Sequence, residues 1–168
     1  MDFKFNKTII RITAMCMLFL IASVFCGCNS NTDMPFNGEI SFHEISVTIP
    51  EDFIRDSSQS NDDMWAFEKD FYEKCIIISR TDINGDTTLS LKNYADYMEE
   101  QGAVSEVTTF SDKEAVHSTY TKDDEYCQEM LFAYNDSFYA VALRGGDENE
   151  FKSLLSTVKI NESYSIKT

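Results

Sequence analysis

Four apolar runs crowd the second half of the chain, at residues 104–110, 115–121, 126–134 and 138–144. Only short polar links separate them: Ser111-Asp112-Lys113-Glu114, Lys122-Asp123-Asp124-Glu125 and Asn135-Asp136-Ser137. A parallel crossover needs a dozen or more residues, so links this short force antiparallel neighbours and a meander. The third and fourth runs are apolar on both faces, which predicts strands near the centre of a sheet.

The first half supplies the remaining elements. Ile45, Val47 and Ile49 alternate with Ser46 and Thr48, the pattern of a half-buried strand, and Pro50 ends it. Phe53 tucks back after a turn, and residues 56–63 read as a polar loop. Residues 64–67 read as a strand with Trp65 and Phe67 on one face. Residues 75–80 form a β-branched run that predicts a strand covered on both sides, with a hairpin turn between the two. A helix follows. Ser90 is placed to cap it, Leu91, Tyr94, Ala95 and Met98 share one face, and Gly102 stands just past its end. After Gly145-Gly146, Asp147 can cap a second helix that buries Phe151, Leu154, Leu155 and Val158. The predicted class is α+β: an antiparallel meander sheet of about six strands with two packed helices.

The N-terminus sets an address. Lys4, Lys7 and Arg11 precede an uncharged apolar run over residues 12–26. That run suits a signal peptide and falls short of the roughly 20 residues a transmembrane helix needs. It closes on Val24-Phe25-Cys26-Gly27-Cys28, with a small residue before Cys28. In this the chain resembles bacterial lipoprotein precursors, although Phe25 and Cys26 depart from the usual first two positions. The resemblance implies cleavage after Gly27 and a lipid on Cys28. The predicted organisation is a signal peptide at 1–27, a tether at 28–38, a domain at 39–162 and a tail at 163–168. The protein would then sit on the extracytoplasmic face of the cell membrane, held by its lipid anchor. An acyl chain contributes about 0.8 kcal/mol of anchoring per buried methylene.

Charge narrows the partners. The 168-residue chain has 14 Lys+Arg against 29 Asp+Glu, a net charge of −15. Removing residues 1–27 takes away Asp2, Lys4, Lys7 and Arg11, leaving 11 basic against 28 acidic residues and a net of −17. Nucleic acid is excluded as a partner class, because phosphate binding needs a basic surface. Anionic lipid would repel the domain, so the tether must hold it to the membrane.

Candidate chemistry is sparse, and no cofactor is indicated. Cys75 and Cys127 form an even pair in an exported chain; they are either a disulfide or two thiols on separate strands. Asp82, Asn84 and Asp86 alternate as calcium ligands do. The loop departs from the full EF-hand pattern, with Thr87 where Gly is required and Asn93 where a bidentate Glu belongs, and the other reading is an Asn-Gly turn. His117 and Cys127 invite comparison with a nucleophile–base dyad. A turn over 121–124 would pair His117 with Gln128 and put Cys127 on the opposite face. The many aromatic residues are core or, if exposed together, a platform for a protein or glycan.

The early strand ending in Ile49-Pro50-Glu51-Asp52-Phe53, the 91–98 helix, the meander and the closing Phe151-x-x-Leu154-Leu155-x-x-Val158-Lys159-Ile160 resemble the PsbP-like domain and its bacterial relative DcrB. Phe53 stands where such domains often have Trp. The resemblance covers about residues 40–160, implies the fold and frequent occurrence in exported lipoproteins, and transfers no catalytic residue. The expected function is a non-catalytic binding module for an envelope or extracellular partner. The alternative is a small-ligand or calcium-binding accessory module.

Overall fold

The computed structural model describes residues 38–70, 73–83 and 90–161. Two sheets and two helices make up the described part. The elements are β1 (Gly38–Phe42), β2 (Ile45–Ile49), β3 (Ile54–Asn61), β4 (Met64–Lys69), β5 (Lys74–Asp82), α1 (Leu91–Glu100), β6 (Val104–Phe110), β7 (Lys113–Lys122), β8 (Glu125–Tyr134), β9 (Ser137–Arg144), α2 (Glu148–Ser156) and β10 (Lys159–Ile160). The large sheet runs β3-β4-β5-β9-β8-β7-β6, and β1-β2-β10 form a small one. Every pairing is antiparallel. Among the described residues no helix is long and apolar enough to cross a membrane.

The meander closes through two-residue turns. Ser111 and Asp112 both have positive φ, as do Asp123 and Asp124. Two such residues in succession make the turn whose twist matches that of the flanking strands. The strands therefore extend further into the polar links than their apolar runs suggest. This moves the β7–β8 register by two residues from the expected one: His117 pairs with Met130 and Tyr120 with Cys127. A shift of two keeps every side chain on its face, so His117 and Cys127 still point to opposite sides of the sheet. α1 then carries the chain across, so that β6 forms the far edge and β9 returns to pair with β5.

Residues 56–63, expected as a polar loop, lie mostly in β3 at the opposite edge. A strand bordering solvent needs few apolar side chains, and here a carboxylate organises its irregularity. Asp56 is buried and accepts hydrogen bonds from Ser58 N at 2.8 Å, Ser58 Oγ at 2.6 Å and Gln59 Nε2 at 2.8 Å, where the pairing with β4 shifts. Gly38, assigned to the tether, is instead the first residue of β1. In β5, Ile76 and Ile78 are buried while Cys75, Ile77 and Ser79 are only partly so, because α1 covers β6, β7 and β8 rather than β5.

The large sheet separates two cores. On one face α2 and the small sheet bury Phe42, Val47, Phe67, Phe132, Tyr139, Val141, Phe151 and Leu154. On the other, Leu91, Tyr94, Ala95 and Met98 of α1 meet Val116, Leu131, Phe138 and Ala140. Ser90 caps α1, its side chain accepting from Asn93 N. Asp147 caps α2 in a reciprocal capping box with Glu150.

Candidate functional site

β8 carries one acid through the middle of the apolar sheet. Glu129 lies between Ser118 of β7 and Ala142 of β9, on the face that α1 covers. It is 1% exposed. The Tyr94 hydroxyl, projecting from α1, donates a hydrogen bond to Glu129 Oε1. Oε2 is buried with no partner among the described residues. The Ser118 hydroxyl opposite is engaged with Ser105 Oγ at 2.8 Å.

Burial disfavours the charged carboxylate and raises the Glu129 pKa from 4.5 to about 7, against the lowering effect of the Tyr94 hydrogen bond. The buried acid therefore changes charge near neutral pH.

A cavity of about 170 Å³ opens beside it, between α1 and the β7–β8 strands. Tyr94, Tyr97, Met98, Tyr120, Lys122 and Glu129 contribute to its wall. Glu129 and Tyr94 are its most buried residues, whereas Gln101, Gly102 and Thr121 are exposed at its mouth. Helical spacing places Tyr94, Tyr97 and Met98 toward the sheet. Gly102, with φ of +88°, turns the chain after α1 so that Ala103 is buried next to the cavity. Desolvation lowers the Lys122 pKa from its ordinary value. This is a largely apolar concavity with few polar groups, the usual build of a small-molecule site.

A larger cavity, about 390 Å³, lies on the opposite face among Phe53, Ile76 and Leu154. Both lysines in its wall are paired: Lys74 Nζ is 2.5 Å from Glu150 Oε1, and Lys69 Nζ is 3.6 Å from Asp52 Oδ2. Among the described residues Glu129 has no cationic partner, which distinguishes the α1 cavity.

The residues singled out in the sequence do not converge on this site. Cys75 and Cys127 are not joined by a disulfide, so the disulfide reading is corrected. Both are in register with Arg144, from β5 and β8 on either side of β9. Two strand spacings, about 9.5 Å, exceed the reach of a disulfide. Arg144 between them pairs with Glu125 and approaches Asp123 at 4.0 Å. Burial pushes the Cys127 thiol up to about 11, the reverse of nucleophile activation. His117 stacks on Phe151, with ring centres 5.7 Å apart, on the far face from Cys127. The dyad is absent.

Asp82 pairs with Arg80 and accepts a hydrogen bond from Ser137 Oγ at 3.0 Å. Asn84 and Asp86 lie outside the described residues, as does Cys28. No cluster of three metal-ligating side chains occurs among the described residues. Of the aromatic residues considered for a platform, Phe67, Tyr94, Phe132, Phe138 and Tyr139 are core and only Tyr126 is exposed; Phe71 and Tyr72 lie outside the described residues.

Glu129 was missed by the sequence reading. Its signal was present: it is an acid inside an apolar run, in phase with Cys127 and Leu131, and so directed to the interior.

No known protein family and no curated protein matches this chain in sequence. Solved structures with a similar fold include cyanobacterial PsbP (CyanoP) from Synechocystis sp. PCC 6803, with a TM-score of 0.57 at 11% identity, covering 80% of this chain and 98% of that one. A protein from Bacteroides thetaiotaomicron VPI-5482 matches with a TM-score of 0.51 at 12% identity, over 77% of this chain. This chain spans about half, 51%, of that protein's length. The fold is PsbP-like α+β. Identities this low bear on fold alone.

Proposed function

We propose that this protein is a non-catalytic binding module, lipid-anchored through Cys28 on the extracytoplasmic face of a membrane, and that it captures a small ligand in the cavity beneath α1. One observation carries the reading: a fully buried carboxyl group, with one oxygen unpartnered among the described residues, forms part of the wall of an open, mostly apolar cavity. Buried polar groups are normally satisfied, so an orphan at a cavity invites a ligand atom. The absence of a His117–Cys127 dyad and the raised thiol of Cys127 favour binding over nucleophilic catalysis.

Protein-observed NMR of the purified protein against a panel of small molecules tests this reading. Shift changes are expected at Tyr97, Met98, Ala103, Tyr120 and Glu129. A panel spanning cations, anions and neutral molecules that leaves all of these unmoved refutes it. The anchor is tested separately by fatty-acid labelling in cells: wild type should incorporate label and Cys28→Ala should not. Equal labelling of the two would refute the anchor.

A further inference from the structure

We propose that the cavity beneath α1 is a site for a small organic ammonium ion, with the Glu129 carboxylate as its counter-charge and a short apolar body lying among Tyr94, Tyr97 and Met98. The inference rests on the ligand-binding reading above and names the ligand class.

Three observations select a cation. First, among the described residues the Glu129 carboxylate is satisfied on one oxygen only: Tyr94 donates to Oε1, and Oε2 lacks a donor. Buried carboxylates are normally paired, and among the described residues no cationic side chain supplies the pair; burial and the Tyr94 hydrogen bond are the causes of its altered titration there. Second, the wall is built of Tyr94, Tyr97, Tyr120 and Met98. Aromatic rings and a thioether accept an alkylammonium more readily than an anion, because ring faces and sulfur carry negative charge density. Third, the chain has a net charge of −15, which concentrates cations near its surface and repels anions.

Lys122 in the same wall opposes this preference. It sits toward the exposed end beside Asp123, whose charge acts on it, whereas Glu129 occupies the buried end where charge interactions are less screened. Size limits the body: an apolar cavity of about 150 Å³ holds a benzene-sized molecule, so four to eight heavy atoms suit this one.

Cation binding must act on the carboxyl proton. The groups facing Glu129 are Tyr94 and Tyr97 from α1, Ser118, Tyr120 and Lys122 from β7, and Ala142 with the more distant Arg144 from β9. An ammonium ion favours the ionised form, so binding displaces a proton from Glu129 to solvent. Affinity should therefore rise as pH goes from about 5 to 8.

The experiment is calorimetric titration of the purified protein with butylammonium, 1-butanol and butyrate, in buffers of different ionisation enthalpy, with NMR locating each contact. The expected result is butylammonium binding at least tenfold more tightly than 1-butanol, with proton release and shifts at the cavity. Glu129→Gln keeps an acceptor for Tyr94, and it should abolish both the proton release and the preference for the amine. Butyrate or 1-butanol binding in the cavity as tightly as butylammonium would overturn the cation assignment and leave the ligand site standing. Retention of the amine preference in Glu129→Gln would likewise overturn it. If none of the three reaches the cavity, the ammonium class fails; if the wider panel also fails, so does the ligand site.

Discussion

On one face of the seven-stranded sheet, α2 and the small sheet interlock around Phe42, Phe67, Phe132, Tyr139 and Phe151. On the other, α1 lies over Val116, Leu131, Phe138 and Ala140, and a cavity remains where its last turn leaves the sheet. Both helices are amphipathic and capped, so local helix chemistry does not explain the contrast. What differs is the cover. Two elements share the first face, whereas a single ten-residue helix spans parts of three strands on the second. Both faces leave a cavity, about 390 Å³ beside Phe53 and Leu154 on the first and about 170 Å³ beneath α1 on the second, and it is the second that has Glu129, a buried acid with an unpartnered oxygen among the described residues, in its wall.

Truncation should expose the difference most strongly. Phe151→Ala, in the first core, is expected to cost about 3–5 kcal/mol, whereas Met98→Ala, already bordering a cavity, should cost about 2 kcal/mol. Urea unfolding midpoints at unchanged slope measure both. Equal losses would mean that the two faces are packed alike.

Glu129 gives the next effect. Its folded pKa, about 7, lies above the ordinary 4.5. Folding then favours the protonated acid; that contribution is complete below about pH 4.5 and is lost as pH rises through about 7. Glu129→Gln does not ionise. Its stability relative to wild type should therefore improve across that window, by on the order of 3 kcal/mol. A pH-independent difference between the two proteins would show that Glu129 titrates normally.

The helix caps give the smallest effect. Asp147→Ala removes acceptors for both Asn149 N and Glu150 N, at 2.8 and 2.9 Å, and breaks a capping box; about 1–2 kcal/mol is expected. Ser90→Ala loses one bond, to Asn93 N at 3.1 Å, and should cost about 0.5–1 kcal/mol. The reverse order in thermal melts would place the more tightly held helix on the cavity face.

Much of the fold was legible because it is local. Leu91, Tyr94, Ala95 and Met98 share a helical face by spacing alone, and all four are buried. The meander followed from polar links too short for any other connection. β3 was hidden because Ile54 is its only large apolar residue, and its pairing with β4 is made by backbone. β10 was hidden because two residues carry no pattern. At the candidate site, the phase of Glu129 was readable, but its contact with Tyr94 joins α1 to a strand beyond two intervening ones.

By itself the sequence determined the α+β class, the antiparallel meander, the ends and buried face of α1, and the acidity of the chain. Periodicity, capping and link length act over a few residues, so they can be read in order along the chain. Only the tertiary structure decided that β9 returns to β5, that Arg144 stands between Cys75 and Cys127, and that Glu129 lies under Tyr94 at the edge of a cavity. These depend on which distant strands pair and on how much of a face one helix can cover. Both are set by burial across the whole sheet, and neither leaves a mark at any single position.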